Sequence, residues 1–161
     1  MDGLDVVVSQ WEKEKPHLDC SSMELIGRVM RLSKHFETKF AVCHKSYNLK
    51  SGEFDVLATL LRSGGDYCLT PSMLINSMML TSGAMTNRLD KLEMMGLIVR
   101  VHSKQDRRSV SVALSARGKA LINQVIEEHV KLQQELVESL SEEDKPVLNK
   151  ILKTWLGDFE S

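Results

Sequence analysis

The fold of this chain is decided by TPSMLINSMMLTSGAMTNRLDKLEMMGLIVRVHSKQDRRSVSVAL, which runs from Thr70 to Leu114. The opening pair Thr70-Pro71 is typical of a helix start, because threonine caps a helix and proline fits its first position. A second helix is predicted to begin at Thr81 or Ser82. It should end at Gly96, since glycine readily takes the left-handed conformation that closes a helix. Two short helices separated by a tight turn are therefore expected.

After these helices, the spacing of apolar residues changes from a helical pattern to one typical of β-strands. The segments from Ile98 to His102 and from Ser109 to Leu114 are rich in β-branched residues, and the second alternates apolar with small or polar side chains. The polar run SKQDRR, residues 103–108, joins them, so we predict a two-stranded hairpin. A helix pair followed at once by a hairpin is a winged helix-turn-helix, whose second helix enters the major groove of DNA.

The flanking segments predict longer helices. A helical stripe of apolar residues runs from Leu25 to Tyr47, and two further helices are expected after Ser115 and near Asp144. We therefore predict a mainly α fold with a small β-hairpin wing, that is, a winged helix-turn-helix with N- and C-terminal dimerisation helices. The chain is predicted to be a single domain, 1–161, with an N-terminal extension that carries a short helix (1–20), dimerisation helices (21–50 and 115–161) and a DNA-binding region (51–114).

The apolar stripes of these helices exceed what a small winged helix can cover. A symmetric homodimer would bury them and would set two second helices about one turn of DNA apart. The expected partners are therefore double-stranded DNA and a second copy of the chain.

The chain of 161 residues is 42% apolar and 27% charged, with a formal net charge of −1. No segment is typical of a membrane span or a signal peptide, so we expect a cytoplasmic protein. Cys20, Cys43 and Cys68 have no metal-ligand spacing, and no cofactor or metal is predicted. The charge is polarised: residues 100–117 carry five basic side chains and one acid, whereas residues 127–143 are rich in acids. Such polarity suits a protein that binds DNA with one face.

The outward face of the second helix is small and polar near its start, as a helix inserted end-first into a groove requires. Arginines at the hairpin tip suit the narrow minor groove, where the negative potential is enhanced. An ordinary solvated helix face and a solvated charged turn are the competing interpretations. The DNA-binding residues that we predict are Thr70, Ser72, Ser82, Thr86, Asn87, Lys91, Lys104, Arg107 and Arg108.

Arg88 differs from its neighbours on the second helix, because it projects about 70° from the centre of the apolar stripe by the geometry of the α-helix. It therefore borders the protein side of that helix and not the groove side. A guanidinium in this position needs an anionic partner. Asp55 on the preceding short helix and a bound anion are both candidates. An ordinary structural salt bridge is the alternative to a ligand site.

The stretch from Ser82 to Gly118 resembles the MarR family of transcriptional regulators. The resemblance covers nearly the whole chain, and it implies a homodimer that binds a pseudo-palindromic operator and releases it on binding a small molecule or on oxidation. One departure is the helix from Thr70 to Met79, which lacks the basic residues that family members often carry near Asn76 and Ser77, so fewer phosphate contacts are expected. The pieces that match are Ser82…Thr86-Asn87-Arg88, Leu92-Glu93…Gly96-Leu97-Ile98 and Asp106-Arg107-Arg108…Leu114-Ser115…Gly118.

Four residues, Trp11, Asp55, Arg88 and Arg100, match the set of the urate-responsive subgroup of this family (PecS, HucR and MftR types). The resemblance implies that they bind a small anionic aromatic effector such as urate or xanthine. On this interpretation Trp11 stacks on the ligand, and Arg88 or Arg100 donates hydrogen bonds to it. The ligand would then compete with Asp55 for an arginine.

Two alternatives remain open at this point. A thiol-based redox-sensing regulator is one, because Cys20 stands at the start of the long helix, where the helix dipole favours a thiolate. A degenerate winged-helix interaction module without DNA binding is the other, and the weak basic content favours it. An enzyme is not predicted, because the sequence contains no nucleophile elbow, phosphate-binding loop or HExxH motif.

Overall fold

The computed structural model describes residues 2–78, 81–102 and 110–160. The chain divides into two compact units, Met1–Val42 and Cys43–Ser161. Three residues of the predicted DNA-binding set, Lys104, Arg107 and Arg108, lie outside the described residues. Within the described ranges, no helix has both the length and the apolarity that a membrane span requires.

The predicted mainly α fold with a small β wing is confirmed. Seven helices and three short strands account for the regular structure of the described residues. In chain order these are α1 (Gly3–Glu14), α2 (Ser21–Ser46), α3 (Ser51–Arg62), β1 (Cys68–Leu69), α4 (Pro71–Met78), α5 (Ser82–Met94), β2 (Ile98–His102), β3 (Val110–Leu114), α6 (Ala116–Leu136) and α7 (Asp144–Gly157).

In the first unit, α1 packs against the N-terminal half of α2. Leu4 is only 6% exposed, and it lies so close to α2 that a Cβ at Gly27 would come within 2.5 Å of its Cδ1. Arg28 forms several ion pairs beside this contact. Its guanidinium donates to three carboxylates, those of Asp2, Asp5 and Glu24.

The sheet of the second unit has three strands in the order β1-β3-β2, whereas the sequence predicted only the hairpin of β2 and β3. The hairpin is confirmed, with Ile98 opposite Leu114. The additional strand β1 pairs antiparallel with β3, with Cys68 opposite Ala113. A strand of two residues is too short to show an alternating pattern, so the sequence carries no signal for it.

Both helices of the helix-turn-helix begin at predicted caps. The hydroxyls of Thr70 and Thr81 each accept a hydrogen bond from a backbone amide in the first turn, at 3.2 and 3.4 Å. At the other end of α5, Gly96 has a φ of 69°, which lets the Leu97 amide reach the Leu92 carbonyl at 2.9 Å. The chain therefore turns directly from α5 into the wing.

The core of the second unit lies where α3, α4, α5, β3 and α6 meet. The predicted inward face of α5 is confirmed, since its apolar side chains are buried there. Each such side chain contributes about 1.5–3 kcal/mol when fully buried. The core side chains that are at most 2% exposed include Val56, Leu57, Leu60, Leu74, Met85, Leu89, Leu92, Val112, Ile122 and Val125.

A pair of imidazoles lies at the edge of this core, where the end of α2 meets α3 and α6. His44 is 2% exposed, and its ring stacks on Phe54 with centroids 4.0 Å apart. Its Nε2 lies 3.2 Å from Nδ1 of His129, and its Nδ1 lies 3.3 Å from Oγ of Ser51. Burial, together with the neighbouring His129, lowers the pKa of His44 to about 4. The buried ring is therefore neutral near pH 7.

We predict that Gly118→Ala destabilises the second unit by about 2–4 kcal/mol, because the added Cβ would force tightly packed backbone to shift. A Cβ at Gly118 would overlap the Leu97 carbonyl oxygen at the start of the wing. The measurement is the free energy of unfolding in urea. Gly83→Ala is the matched control, because a Cβ there meets nothing within 4 Å; it should leave stability unchanged or raise it slightly. Equal stability of the two variants would contradict the packing described here.

We also predict that stability falls as the pH is lowered from about 6.5 towards 4. In the unfolded chain His44 takes up a proton near pH 6.5, whereas in the folded chain its pKa is about 4. The unfolded state therefore binds more protons in this window and is favoured as the pH falls, by about 3 kcal/mol at most for this residue.

The measurement for this second prediction is urea unfolding at pH 7 and pH 4.5, at one fixed protein concentration. His44→Gln should show a smaller loss of stability between the two pH values than the wild type. His35→Gln, which changes an exposed histidine of α2, should show the wild-type loss. The same pH dependence in all three proteins would refute a neutral, buried His44.

Candidate nucleic-acid interface and effector cavity

The helix α5, here called the reading helix, presents Thr86 and Asn87 on its exposed face. The Thr86 hydroxyl donates to the Ser82 carbonyl at 3.0 Å, which leaves its oxygen free to accept. Among the described residues, the Asn87 amide has no hydrogen-bond partner. A free amide on an exposed helix face can donate to and accept from the edge of an adenine in the major groove.

Three more of the predicted DNA-binding residues stand at helix starts. Ser72 lies in the first turn of α4 and Ser82 in the first turn of α5, and both are exposed. Thr70 is half-buried, and its hydroxyl is engaged as the cap of α4. Backbone amides at a helix N-terminus suit a phosphate. The two helix starts therefore offer two places at which a DNA backbone could be held.

Lys91 was predicted as a DNA contact, but in the DNA-free chain it binds an acidic side chain of the protein. Its Nζ lies 2.6 Å from Oε1 of Glu53, a carboxylate that is only 4% exposed. The other oxygen of Glu53 accepts the amide of Lys50 at 2.8 Å. Since removal of one partner would leave a buried charge unpaired, this ion pair fixes α5 against the start of α3. A phosphate contact by Lys91 would require it to leave Glu53.

Arg100, predicted as a ligand-binding residue, also has protein partners. Its guanidinium donates to Asp90 at 2.5 Å and to Glu93, both on α5. These two ion pairs join the first strand of the wing to the reading helix, and they raise the pKa of Arg100 above its usual range. Arg100 does not line the cavity that contains Asp55 and Arg88.

Arg88 leaves the reading helix on its protein side, as the helical geometry predicted. Its guanidinium lies over the first turn of α3, so close that a Cβ at Gly52 would overlap it. Nη1 donates a long hydrogen bond to the Gly52 carbonyl, at 3.5 Å. Within the described residues, no carboxylate comes within 4.0 Å of this guanidinium. A half-buried cation with most of its donors unused is a candidate anion site.

Arg88 and Asp55 line one cavity of about 370 Å³. The two side chains therefore line the same cavity without forming a close ion pair, and their joint role in binding a ligand stays a prediction. The cavity lies between α3, the end of α4 and α5, within the second unit. Its volume falls in the range that small-molecule sites occupy. Its lining consists of Asp55, Ala58, Thr59, Arg62, Ser77, Met78 and Arg88.

The charge state of Asp55 affects how well the cavity accepts an anion. Partial burial of its carboxyl raises its pKa, and the nearby Arg88 and His129 oppose that shift. A carboxyl with a raised pKa takes up a proton more readily than usual, and a protonated Asp55 does not repel an anion. An anion beside Arg88 would therefore be repelled by an ionised Asp55 and not by a protonated one.

Trp11 and Cys20 lie in the first unit. Trp11 is on α1 and is 41% exposed, so its ring is available to a partner, and its predicted stacking on a ligand stays a prediction. Cys20 is 6% exposed, and its Sγ lies 3.8 Å from the Leu18 carbonyl oxygen. A buried thiol is a poor first target for an oxidant in solution. The structure therefore offers no support for the thiol-sensor alternative at Cys20.

Several residues of the site were missed by sequence reasoning. Glu53 was not among the predicted residues, because nothing in sequence indicates that it is buried against Lys91. The cavity residues of α3 follow Asp55 at helical spacing, and that spacing is the signal that could have identified them. In the part of the chain that the structure describes, no cluster of three or more His, Cys, Asp or Glu could hold a metal ion.

Comparison with known proteins matches this chain to one family of transcriptional regulators. The sequence profile of the MarR family matches residues 49–110, from two residues before α3 to the start of β3. The HTH-type transcriptional regulator PecS of Dickeya dadantii (strain 3937) is 40% identical over 146 residues, which cover 91% of this chain and 88% of that protein. These relatives are transcriptional regulators and not enzymes, as predicted.

Solved structures share the fold. Wild-type MarR of E. coli in its apo form has a TM-score of 0.68 and 26% identity, and the match covers 81% of this chain and 96% of that one. A mutant MarR of E. coli complexed with operator DNA has a TM-score of 0.71 and 24% identity, with 91% and 97% coverage.

Proposed function

The chain belongs to the MarR family of transcriptional regulators, and on that premise we propose that it is a homodimer that binds a pseudo-palindromic operator and is released by a small anionic aromatic effector such as urate or xanthine. One observation carries the proposal. The Arg88 guanidinium lines a cavity and forms no ion pair with any described residue. The preceding residue, Asn87, lies on the side of the reading helix that we propose to face DNA. An activity on chromosomal DNA also implies that the protein works in the cytoplasm.

The DNA interface is formed by the outward face of the reading helix and the starts of α4 and α5. Thr86 and Asn87 read base edges, while Ser72 and Ser82 accompany backbone amides that bind phosphate. The likeness to a MarR mutant complexed with operator DNA supports this docking at the level of the fold. The wing residues Lys104, Arg107 and Arg108 are proposed from the sequence to reach the minor groove.

The homodimer is proposed because α7 presents an unpartnered apolar face. In the described part of the chain, no residue of α7 is buried. A single copy would leave this face in water, whereas a second copy can cover it symmetrically. The exposed apolar residues of α7 are Val147, Leu148, Ile151, Leu152 and Leu156. Two reading helices, about 34 Å apart, would then match successive turns of DNA.

The effector binds by its negative charge to Arg88. A planar anion with acceptor atoms at its edge can take the unused guanidinium donors, while Ala58 and Met78 contact its flat face. Neighbouring Asp55 sets the strength of this binding, since an ionised Asp55 competes for Arg88 and a protonated one does not. The stacking role of Trp11 and the ligand contact of Arg100 belong to the proposal as predictions from the family resemblance.

The position of Arg88 between α5 and α3 explains how the effector would release the operator DNA. The long hydrogen bond to Gly52 and the Lys91–Glu53 ion pair set how the reading helix lies on α3. An anion that draws the guanidinium into the cavity changes the first of these contacts. Because both reading helices of a dimer must fit their half-sites together, a small reorientation of each weakens operator binding, with a coupling free energy of about 1–3 kcal/mol.

We predict that Thr86→Ala and Asn87→Ala each weaken operator binding about tenfold, because one good contact to a base edge contributes about 1–3 kcal/mol. The measurement is fluorescence anisotropy with DNA from the region upstream of the protein's own gene, at low and then moderate salt. Thr38→Ala is the matched control, since the Thr38 hydroxyl is also exposed and also donates to the carbonyl four residues earlier. An unchanged affinity in both reading-helix variants would exclude this face as the interface.

We further predict that urate or xanthine releases the DNA complex and that Arg88→Ala raises the effector concentration required at least tenfold, because the charge-assisted hydrogen bonds are lost. Gly52→Ala should have a similar but smaller effect, since its Cβ displaces the guanidinium while the charge remains. Isothermal calorimetry and the anisotropy titration measure binding and release separately.

The controls for the effector are Arg117→Ala and Gly157→Ala. Arg117 is exposed and does not line this cavity, and a Cβ at Gly157 meets nothing within 4 Å. Both variants should respond to the effector as the wild type does. If neither urate nor xanthine alters the wild-type DNA complex, the proposed effector class is wrong.

A further inference from the structure

Arg62 is a second guanidinium in the Arg88 cavity, and neither the sequence analysis nor the family resemblance assigned it a role. It is the last residue of α3, it is exposed, and it lines the cavity together with Asp55 and Arg88. Among the described residues it makes no ion pair and no side-chain hydrogen bond. An unpaired guanidinium at the mouth of a cavity can hold an anion in a bidentate manner.

The residues that α3 contributes to the cavity lining extend over about two turns of the helix. Asp55, Ala58, Thr59 and Arg62 follow one another at the spacing that places side chains on a single face of a helix. The first and the last are seven positions apart, which corresponds to a rise of about 10 Å along the helix. The Arg88 guanidinium lies at Gly52, in the first turn of α3, whereas Arg62 is attached at the last residue of that helix.

The middle of the cavity suits a flat, mostly apolar body. Ala58 is small and leaves space on α3, and Met78 supplies an apolar wall from the end of α4. Thr59 and Ser77 also line the cavity, and the Ser77 hydroxyl donates to the Leu74 carbonyl at 3.2 Å and leaves its oxygen free to accept. A volume of about 370 Å³ accommodates a ligand longer than a single small ring.

The charge of the lining is unbalanced. The lining contains two arginines and one aspartate. A ligand with one negative group at the Arg88 end leaves the charge of Arg62 uncompensated. A ligand with a second negative group at its far end compensates both arginines.

We propose that Arg62 is a second anion-binding residue of the effector site, and that the preferred effector is an elongated planar molecule with an anionic group at each end. This inference rests on the proposed function, because it assumes that an anion binds beside Arg88. It narrows the effector class from a small aromatic monoanion to an aromatic dianion.

The test compares two probes with the same flat body, 2-naphthoate and naphthalene-2,6-dicarboxylate. Their dissociation constants are measured by calorimetry with the full-length protein at low salt. The wild type should bind the dicarboxylate about tenfold more tightly than the monocarboxylate, because a second charge-assisted contact forms at a partly exposed site. In Arg62→Ala this ratio should fall to about one, and Arg62→Lys should retain part of it.

Arg117→Ala is the matched control, and it should keep the tenfold ratio. A wild-type ratio near one, or a tenfold ratio that survives in Arg62→Ala, would overturn the inference; Arg62 would then serve only the end of α3. The proposed function is judged separately, by whether 2-naphthoate and urate lose affinity in Arg88→Ala. If the wild type binds neither naphthalene probe, the inference is overturned, and the urate titration alone decides the proposed function.

Discussion

The guanidinium of Arg88 turns away from the exposed side of the reading helix and lies over the first turn of α3, where only a glycine leaves room for it. Its charge is compensated in part by the Gly52 carbonyl and by the field of Asp55, which shares its cavity. One helical turn further along, Lys91 is held by the buried carboxylate of Glu53. These polar contacts are embedded beside an apolar contact made by Met85, Leu89 and Leu92. The orientation of the reading helix on α3 therefore depends on groups that an anion can perturb.

The residue proposed to bind the effector and the residue proposed to contact DNA are neighbours on one helix. Asn87 faces solvent and Arg88 faces the cavity, although the two are adjacent in sequence. A helix moves as a rigid element, so a shift that draws Arg88 inward also reorients Asn87. Coupling of this kind needs no long chain of residues, only one helix with two orientations that ligand and DNA favour differently. The wing follows the same element, because Arg100 joins β2 to Asp90 and Glu93 on α5.

The parts of this arrangement that could be predicted from sequence are those that depend on local spacing. The inward face of α5, the caps at Thr70 and Thr81, and the protein-side position of Arg88 all follow from the geometry of one helix. The partners could not be predicted, because they come from distant parts of the chain. Thus the Lys91–Glu53 pair, the ion pairs of Arg100 and the pairing of β1 with β3 appear only once α3, α5 and the wing are packed together. The placement of Arg62 in the Arg88 cavity belongs to the same group.

The coupling between the Arg88 cavity and the reading helix is tested most directly by measuring the distance between the two reading helices of the dimer. A nitroxide attached at Gly83→Cys, in a background where Cys20, Cys43 and Cys68 are serine, would report that distance by double electron–electron resonance. A Cβ at Gly83 meets no neighbour within 4 Å, so the label should not disturb the helix. Saturating urate is expected to shift the distance distribution by a few ångströms, by about the amount that moves two helices out of register with successive DNA turns. The shift should be absent in Arg88→Ala. An unchanged distribution in the urate-saturated protein would contradict the account.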